Sequence, residues 1–366
     1  MSTATATGRV LPNMVHMTSQ IIDEKSLLHI GIGGGAEVPP TFVTDTTSLL
    51  SQVDRTDGQR PLESDNISVA QNTILEFLHR TAMFDVIRPF EIPLEIISAV
   101  RNAVNSWGID IDLPQRILDN YIDCAIDLGH AIYSHTSYDV QISVSLYTLC
   151  SLLFDDGVVG RDAAREFVPR LALGKPQLHP ILEQYVQCTL ALRNYLPLYG
   201  ANALITATLD FANFELLRSD ETHSLDLKPG ALDFIEYARQ KDGFAEGFVA
   251  AIWPKSDFPD VKSYIQAFAD VTEFMSKIND LFSFYKEAKT EEQRNYVNQY
   301  AMVHGKSPNE AVVEIMERVI LLVERIRGTL GEGKEREAFE SFAVGCVRFH
   351  IYNTRYRLRE VLPMFF

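Results

Sequence analysis

Cysteine is scarce in this chain, and the few present do not pair. Cys124, Cys150, Cys188 and Cys346 lie far apart in apolar surroundings. No two stand at metal-ligand spacing and none suggests a secreted disulfide framework, so they read as small core residues in a reducing compartment. Long hydrophobic runs are missing as well. The longest uncharged stretches, Val140 to Phe154 and Asn194 to Leu209, are broken by polar residues and fall short of the roughly 18 apolar residues that a spanning helix needs. The opening MSTATATGRVLPNMVHMTSQ has no apolar core and no good cleavage pattern, which argues against a secretory signal. Positive charge is in deficit: 33 Lys and Arg against 49 Asp and Glu give a net charge of -16. Such a surface repels phosphate backbones and anionic lipid. No nucleic acid and no stable membrane insertion are expected, divalent metals are favoured ligands, and the chain reads as soluble and cytoplasmic.

What remains is globular: 366 residues, 46% of them hydrophobic, ample for a core. Residues 1–65 stand apart, rich in Thr, Ser and Gly, with Gly33-Gly34-Gly35 and Pro39-Pro40 as breakers. They read as an irregular N-terminal arm with one short ordered piece near Ile21 to Ile30. The glycine triplet lacks the lysine and helix of a phosphate loop and reads as a turn. From Asn66 onward apolar residues recur at helical spacing, and 66–366 reads as one α-helical domain. Helices are predicted near 66–83, then over 91–106, 114–134, 138–156, 162–172, 178–194, 198–218, 229–239, 244–252, 260–288, 291–304, 308–329 and 335–361. Breakers such as Pro114, Gly157, Pro176, Pro197 and Pro308 fall between them. There are no alternating strand pairs, no βαβ rhythm and no internal repeat, so the fold class is all-α.

Two groups of oxygen donors carry the chemistry. Asn279, Ser283 and Glu287 stand at i, i+4 and i+8, about 6 Å apart per step along one helix face. An amide oxygen, a hydroxyl and a carboxylate are hard donors of the kind Mg²⁺ takes while keeping water or phosphate oxygens as its other ligands. Phe268, Val271, Phe274, Met275, Ile278 and Phe282 on the same helix predict burial, where a polar row is costly unless something satisfies it. The bland alternative is a solvated stripe. The second group is Asp155-Asp156-Gly157, closing a helix that is otherwise uncharged from Val140 on. Two carboxylates at a helix C-terminus oppose the macrodipole and repel each other unless a cation relieves them; alone they are equally compatible with a solvated turn.

Together, Asp155-Asp156 and, some 120 residues later, Asn279/Ser283/Glu287 resemble a class I terpene cyclase, and NDLFSFYKE (279–287), WPKSDF (253–258), TLDF (208–211) and RYRL (355–358) are similar to the wording of the fungal trichodiene synthase family. The likeness runs over roughly residues 100–362. It implies a helical barrel, a prenyl diphosphate substrate, three Mg²⁺ ions and a homodimer. It also implies that Asp155 with Asp156, and Asn279, Ser283 and Glu287, hold metal, while Arg239, Lys286, Arg355 and Tyr356 grip the diphosphate. Independently of any family, ionising an allylic diphosphate requires its leaving charge to be neutralised, and metal ions with Arg and Lys do this without proton transfer. The chain departs from the family where a further acid usually follows the Asp pair: here the run is Gly157-Val158-Val159, and the next carboxylate is Asp162.

A carbocation also needs a dry cavity with polarisable walls, and each aromatic face contributes about 0.5–2 kcal/mol. Phe154, Phe211, Phe214, Phe248, Phe274 and Tyr352 are the candidate wall residues, with Tyr147 and Phe349 beside them, although each reads equally as core. No histidine pair and no Ser-His-Asp or Gly-x-Ser-x-Gly arrangement appears. The expected activity is a Mg²⁺-dependent sesquiterpene synthase that ionises and cyclises farnesyl diphosphate by 1,6-, 1,10- or 1,11-closure. A prenyltransferase of the same fold and an inactive helical binding protein are the rivals.

Overall fold

A computed structural model of the chain describes residues 64–218, 227–290, 292 and 294–366. The predicted N-terminal arm, its piece near Ile21 to Ile30 and the glycine triplet lie outside the described residues. Thirteen α-helices run through those that are described, joined by turns and short 3-10 segments, with no strand among them. The fold is all-α.

Local chemistry explains the helix ends. Helix α12 (Pro308–Leu330) begins with Ser307 accepting from the Glu310 N–H while the Glu310 carboxylate accepts from the Ser307 N–H, with Pro308 in the first turn. This reciprocal cap satisfies amides that the helix leaves over. Helix α2 (Leu94–Ser106) starts behind Pro93, later than the predicted residue 91, because a residue preceding proline is pushed out of the helical region. The predicted helix 260–288 is shorter. Helix α10 spans Phe268–Lys289, and two 3-10 turns, Val261–Ser263 and Ile265–Ala267, precede it. Asp260 caps the Lys262 N–H at 3.0 Å, and the Tyr264 ring stacks on Trp253 with centroids 4.4 Å apart, which holds Tyr264 off the helix path. At the other end, the predicted helix 335–361 stops as α13 (Lys334–Tyr352), followed by 3-10 turns at Thr354–Tyr356 and Leu358–Glu360.

Helices α3 (Gln115–Tyr133), α4 (Tyr138–Asp155), α6 (Pro180–Arg193), α7 (Leu198–Arg218), α9 (Ala245–Ala250), α10 and α13 pack each on the next, and α13 closes back onto α3. The closed ring is a helical barrel. Helices α1 (Ser64–Arg80) and α12 back α10 from outside, α5 (Arg161–Ala172) backs α7, and α8 (Leu232–Asp242) bridges α7 to α11 (Tyr296–His304). Two glycines let the ring close. A Cβ on Gly129 would lie 2.1 Å from Ser145 Oγ and 2.8 Å from Gln141 O, and one on Gly345 only 2.2 Å from Ala131 O. Helices α4 and α13 therefore approach α3 at near-backbone distance.

The Tyr133 hydroxyl of α3 donates to Phe248 O of α9 at 2.7 Å, helices that are not ring neighbours, so the bond crosses the interior. The C-terminal ends of α4, α10 and α13 and the N-terminal half of α3 converge through side-chain contacts at one end of the barrel.

Candidate active site

At that end the Asp pair closes α4. Val158 N–H donates to Leu153 O and Gly157 N–H to Phe154 O, each at 3.0 Å, with Gly157 at φ +72°. This is the left-handed glycine cap that lets a helix stop abruptly. Asp155 occupies the last helical position and Asp156 the cap. Asp156 Oδ2 accepts from the Tyr121 hydroxyl of α3 at 2.9 Å and lies 4.0 Å from Arg355 Nη1. Burial pushes the Asp156 carboxyl above its ordinary range, with Arg355 pulling the other way. Where the family pattern carries a further acid, the chain turns inward and Val159 is buried.

On α10 the predicted row is continuous. Asn279 Oδ1 accepts a long bond, 3.4 Å, from Arg239 Nη2, which leaves the oxygen a second lone pair. Its Nδ2 donates to the Tyr356 hydroxyl and contacts His350 Nε2, both at 3.3 Å. Ser283 Oγ is buried and makes no well-formed hydrogen bond, although it stands close enough to the Glu287 carboxyl to pull it downward. Burial pushes Glu287 up to about 7, with Lys286 pulling it back; Lys286 Nζ is 3.9 Å from Glu287 Oε1 and 6.0 Å from the Tyr356 ring centre.

A buried, poorly satisfied hydroxyl between an amide oxygen and a buried carboxyl is a donor set short of a hard cation, and these three residues could hold Mg²⁺. Among the described residues no group of three or more His, Cys, Asp or Glu converges into a preformed metal cage. The oxygen donors are instead divided between α4 and α10, an arrangement suited to ions whose remaining ligands come from phosphate and water.

The cationic candidates lie beside these donors. Arg239, near the end of α8, grips Asp280 from Nε at 2.9 and 3.1 Å, Asp242 at 3.0 Å and Ser276 O at 3.1 Å. Arg355 and Tyr356 occupy the 3-10 turn after α13, between Asp156 and Asn279.

A family model described as trichodiene synthase matches residues 113–364 of the chain. The chain belongs to the trichodiene synthase family. Monoterpene synthase 25 of Postia placenta is 32% identical over 307 residues, covering 83% of this chain and 90% of the relative. Longiborneol synthase CLM1 of Gibberella zeae is 30% identical over 232 residues, 61% of this chain and 68% of the relative. The linalool/nerolidol synthase of Streptomyces clavuligerus superposes with a TM-score of 0.55 at 16% identity, over 72% of this chain and 99% of that one, a likeness of fold. The chain is thus an all-α terpene cyclase of the trichodiene synthase family.

Of the aromatic candidates in this terpene cyclase, Phe154, Phe211 and Phe248 belong to one buried aromatic cluster, which also takes in Phe167 of α5. Phe154 lies edge-on to Phe211 at 5.4 Å, and Phe248 edge-on to Tyr147 at 5.9 Å. Phe214 is buried one turn beyond Phe211. Phe274 packs on Phe339 and Phe342 at 5.6 and 6.4 Å, on the α10–α13 side. Tyr352 is half-buried against Phe90 and Phe366 and donates to Phe365 O at 3.1 Å. Phe349 faces Tyr356 at 5.6 Å.

Several residues here escape a reading of the sequence. Phe244 links Phe211, Tyr147 and Phe248 from a left-handed backbone with φ 49°. Asp280 adjoins the triad and pairs with Arg239, and its position beside Asn279 was the one available signal. His350 is buried, which lowers it to about 4. It contacts Cys346 O through Nδ1 at 2.6 Å, so as a neutral ring it presents a bare Nε2 to the Asn279 amide. Tyr121 carries no sequence signal at all. Among the described residues no helix is long and apolar enough to cross a membrane.

Proposed function

We propose that this terpene cyclase is a Mg²⁺-dependent sesquiterpene synthase acting on farnesyl diphosphate. The observation that carries the reading is the position of the Arg355–Tyr356 turn, which contacts Asp156 on one side and Asn279 on the other. Two groups of oxygen donors and the cationic side chains thereby share one end of the helical ring, and we read the buried aromatic cluster as the wall of the prenyl site. Asp155 and Asp156 on α4, and Asn279, Ser283 and Glu287 on α10, would hold three Mg²⁺ ions. Bound there, Mg²⁺ supplies charge neutralisation of the diphosphate leaving group.

The side chains do the rest. Arg239, Lys286 and Arg355 donate to diphosphate oxygens and the Tyr356 hydroxyl adds a further donor, strengthening as negative charge develops on the leaving group. The prenyl chain extends into the interior. There Phe154, Phe211, Phe214 and Phe248 exclude water and offer ring faces to the cation, and Phe274 and Tyr352 are proposed as outlying parts of the same wall. The described site positions no side-chain base in that apolar interior, so diphosphate itself is the proposed proton acceptor. A homodimer working in the cytoplasm completes the proposal.

One observation favours a second substrate. A relative that matches across 83% of this chain is named a monoterpene synthase, which makes geranyl diphosphate the competing substrate. Gas chromatography–mass spectrometry of the purified protein with farnesyl and with geranyl diphosphate, in Mg²⁺ and in EDTA, decides between them. Mg²⁺-dependent C15 products with little C10 product support the reading; dominant C10 product reassigns the substrate. No product from either, with diphosphate never released, refutes the proposed activity.

A further inference from the structure

The orientation of the Arg355–Tyr356 turn is set by a side chain two residues earlier. Asn353 is buried, and its backbone leaves the helix at φ -74°, ψ 125°. Its Oδ1 accepts from the Arg355 N–H at 3.0 Å, capping the 3-10 turn, while its Nδ2 donates to Asp127 Oδ2 on α3 at 2.7 Å. One amide therefore uses both ends. It competes with the helix for the backbone, which is why α13 stops here, and it ties the new turn to a residue 226 positions away. Asp127 shares α3 with Tyr121, the residue that holds Asp156. The same helix thus references both the carboxylate group and the turn that faces it. The 3-10 turn that follows, Leu358–Glu360, has a separate anchor, because Glu360 accepts from Tyr285, Lys289 and Arg357. Loss of the Asn353 contact should therefore swing the turn without releasing it.

We infer that Asp127 and Asn353 are positioning residues that hold Arg355 and Tyr356 in register with Asp156 and Asn279 before substrate arrives. The inference rests on the reading of Arg355 as a diphosphate ligand. Misplacing a binding group by about 1 Å costs on the order of a hundred-fold in a preorganised site, so the register of this turn bears directly on diphosphate affinity. Burial lifts the Asp127 carboxyl to about 6, while its bond from Asn353 pulls it down and nearby Asp123 pushes it up. Measurements at pH 8 keep it ionised.

The test exchanges the two partners. N353D places a second carboxylate against Asp127 while still accepting from the Arg355 N–H; D127N together with N353D restores the bond between the two side chains with donor and acceptor reversed, the bond from the Arg355 N–H being accepted as before. Affinity for inorganic diphosphate in the presence of Mg²⁺ is measured by titration calorimetry on the full chain, with thermal melts as control and Arg355→Ala as reference. The expected result is a loss on the order of ten- to a hundred-fold in N353D with a near-parental melt, and recovery to within a few-fold in the double variant. If Arg355→Ala weakens diphosphate binding and N353D does not, the inference fails and the functional reading stands. If the single variant loses affinity and the exchange does not restore it, the inference also fails. Unchanged affinity in Arg355→Ala overturns the reading of Arg355 and the inference with it. Should N353D melt far below the parent, Asp127→Ala replaces it. That variant removes the acceptor without adding charge, and parental affinity in it overturns the inference.

Discussion

Asn279 donates from Nδ2 to the hydroxyl of Tyr356 over 3.3 Å, joining residues 77 apart in the chain. Through that contact the row of oxygen donors on α10 is tied to the turn after α13. Arg355, the residue before it in that turn, reaches to within 4.0 Å of Asp156. A charge bound at either donor group therefore acts on one short segment, which couples the two halves of the site mechanically as well as electrostatically.

Replacing Asn279 by Ala removes the amide oxygen together with its contacts to Tyr356 and His350. Diphosphate release in Mg²⁺ should fall on the order of a hundred-fold or more, the scale for losing one preorganised group around developing charge. Asn279→Asp keeps an oxygen but loses the donor and adds a carboxylate beside Asp280, so an intermediate loss is expected. Steady-state rates at several Mg²⁺ concentrations separate weakened metal use from weakened turnover. Full activity in a variant carrying both Asn279→Ala and Glu287→Ala would sink the metal assignment.

The aromatic interior predicts product selectivity. Phe244 keeps a left-handed backbone that costs a non-glycine residue roughly 1–3 kcal/mol, and its ring centre lies 3.6 Å from that of Phe211. Phe211→Leu and Phe244→Leu each remove one aromatic face. A contribution of about 0.5–2 kcal/mol per face translates into product ratios shifted by up to roughly thirty-fold, with affinity for Mg²⁺ and inorganic diphosphate unchanged. The product profile by gas chromatography–mass spectrometry reads this directly. An unaltered profile in both variants makes these rings packing residues only.

Most helices were legible because apolar periodicity, caps and breakers agree locally. Residues 198–218 and the Ser307-Pro308 start of α12 are recovered as read, and the i, i+4, i+8 spacing alone places Asn279, Ser283 and Glu287 on one face. The misses depend on partners distant in the chain. Residues 260–267 leave the helix because Tyr264 stacks on Trp253. Helix α13 ends at Tyr352 because Asn353 is claimed by Asp127. Tyr121 and His350 belong to the site through tertiary contacts that no local pattern marks, and Asp280, marked only by standing next to Asn279, takes its role from Arg239, 41 residues earlier. Phe244 is hidden for a further reason: its left-handed backbone at the start of α9 contradicts its residue type, and a sequence gives no hint of such strain.

Gly345 predicts how little slack the barrel has. Its missing Cβ would meet Ala131 O at 2.2 Å and Ile132 Cα at 2.7 Å, which are backbone atoms of α3 that cannot rotate away. Gly345→Ala must therefore push α13 off α3, at a cost of about 1–3 kcal/mol or more, even though Ala is the better helix former. Circular dichroism melts should show a lower midpoint than the parent. A midpoint equal to or above the parent would mean that the two helices are not held at this distance in solution.

Glu360 predicts an acid limb to the stability profile. Its burial raises the carboxyl, but hydrogen bonds from Lys289, Tyr285 and Arg357 outweigh that and hold it near 2, below its ordinary 4.5. A carboxylate whose folded value is depressed stabilises the fold fully above its unfolded value, and that contribution is lost as pH falls from about 4.5 toward 2. The side chain is more than a third exposed, so solvent screening keeps the effect modest. Glu360→Gln should melt lower than the parent at pH 7 and lose less on going to pH 3.5, because the variant has no such proton to take up. Melts at the two pH values measure both differences. Equal losses in parent and variant would show that the C-terminal turn is not pinned through this carboxylate.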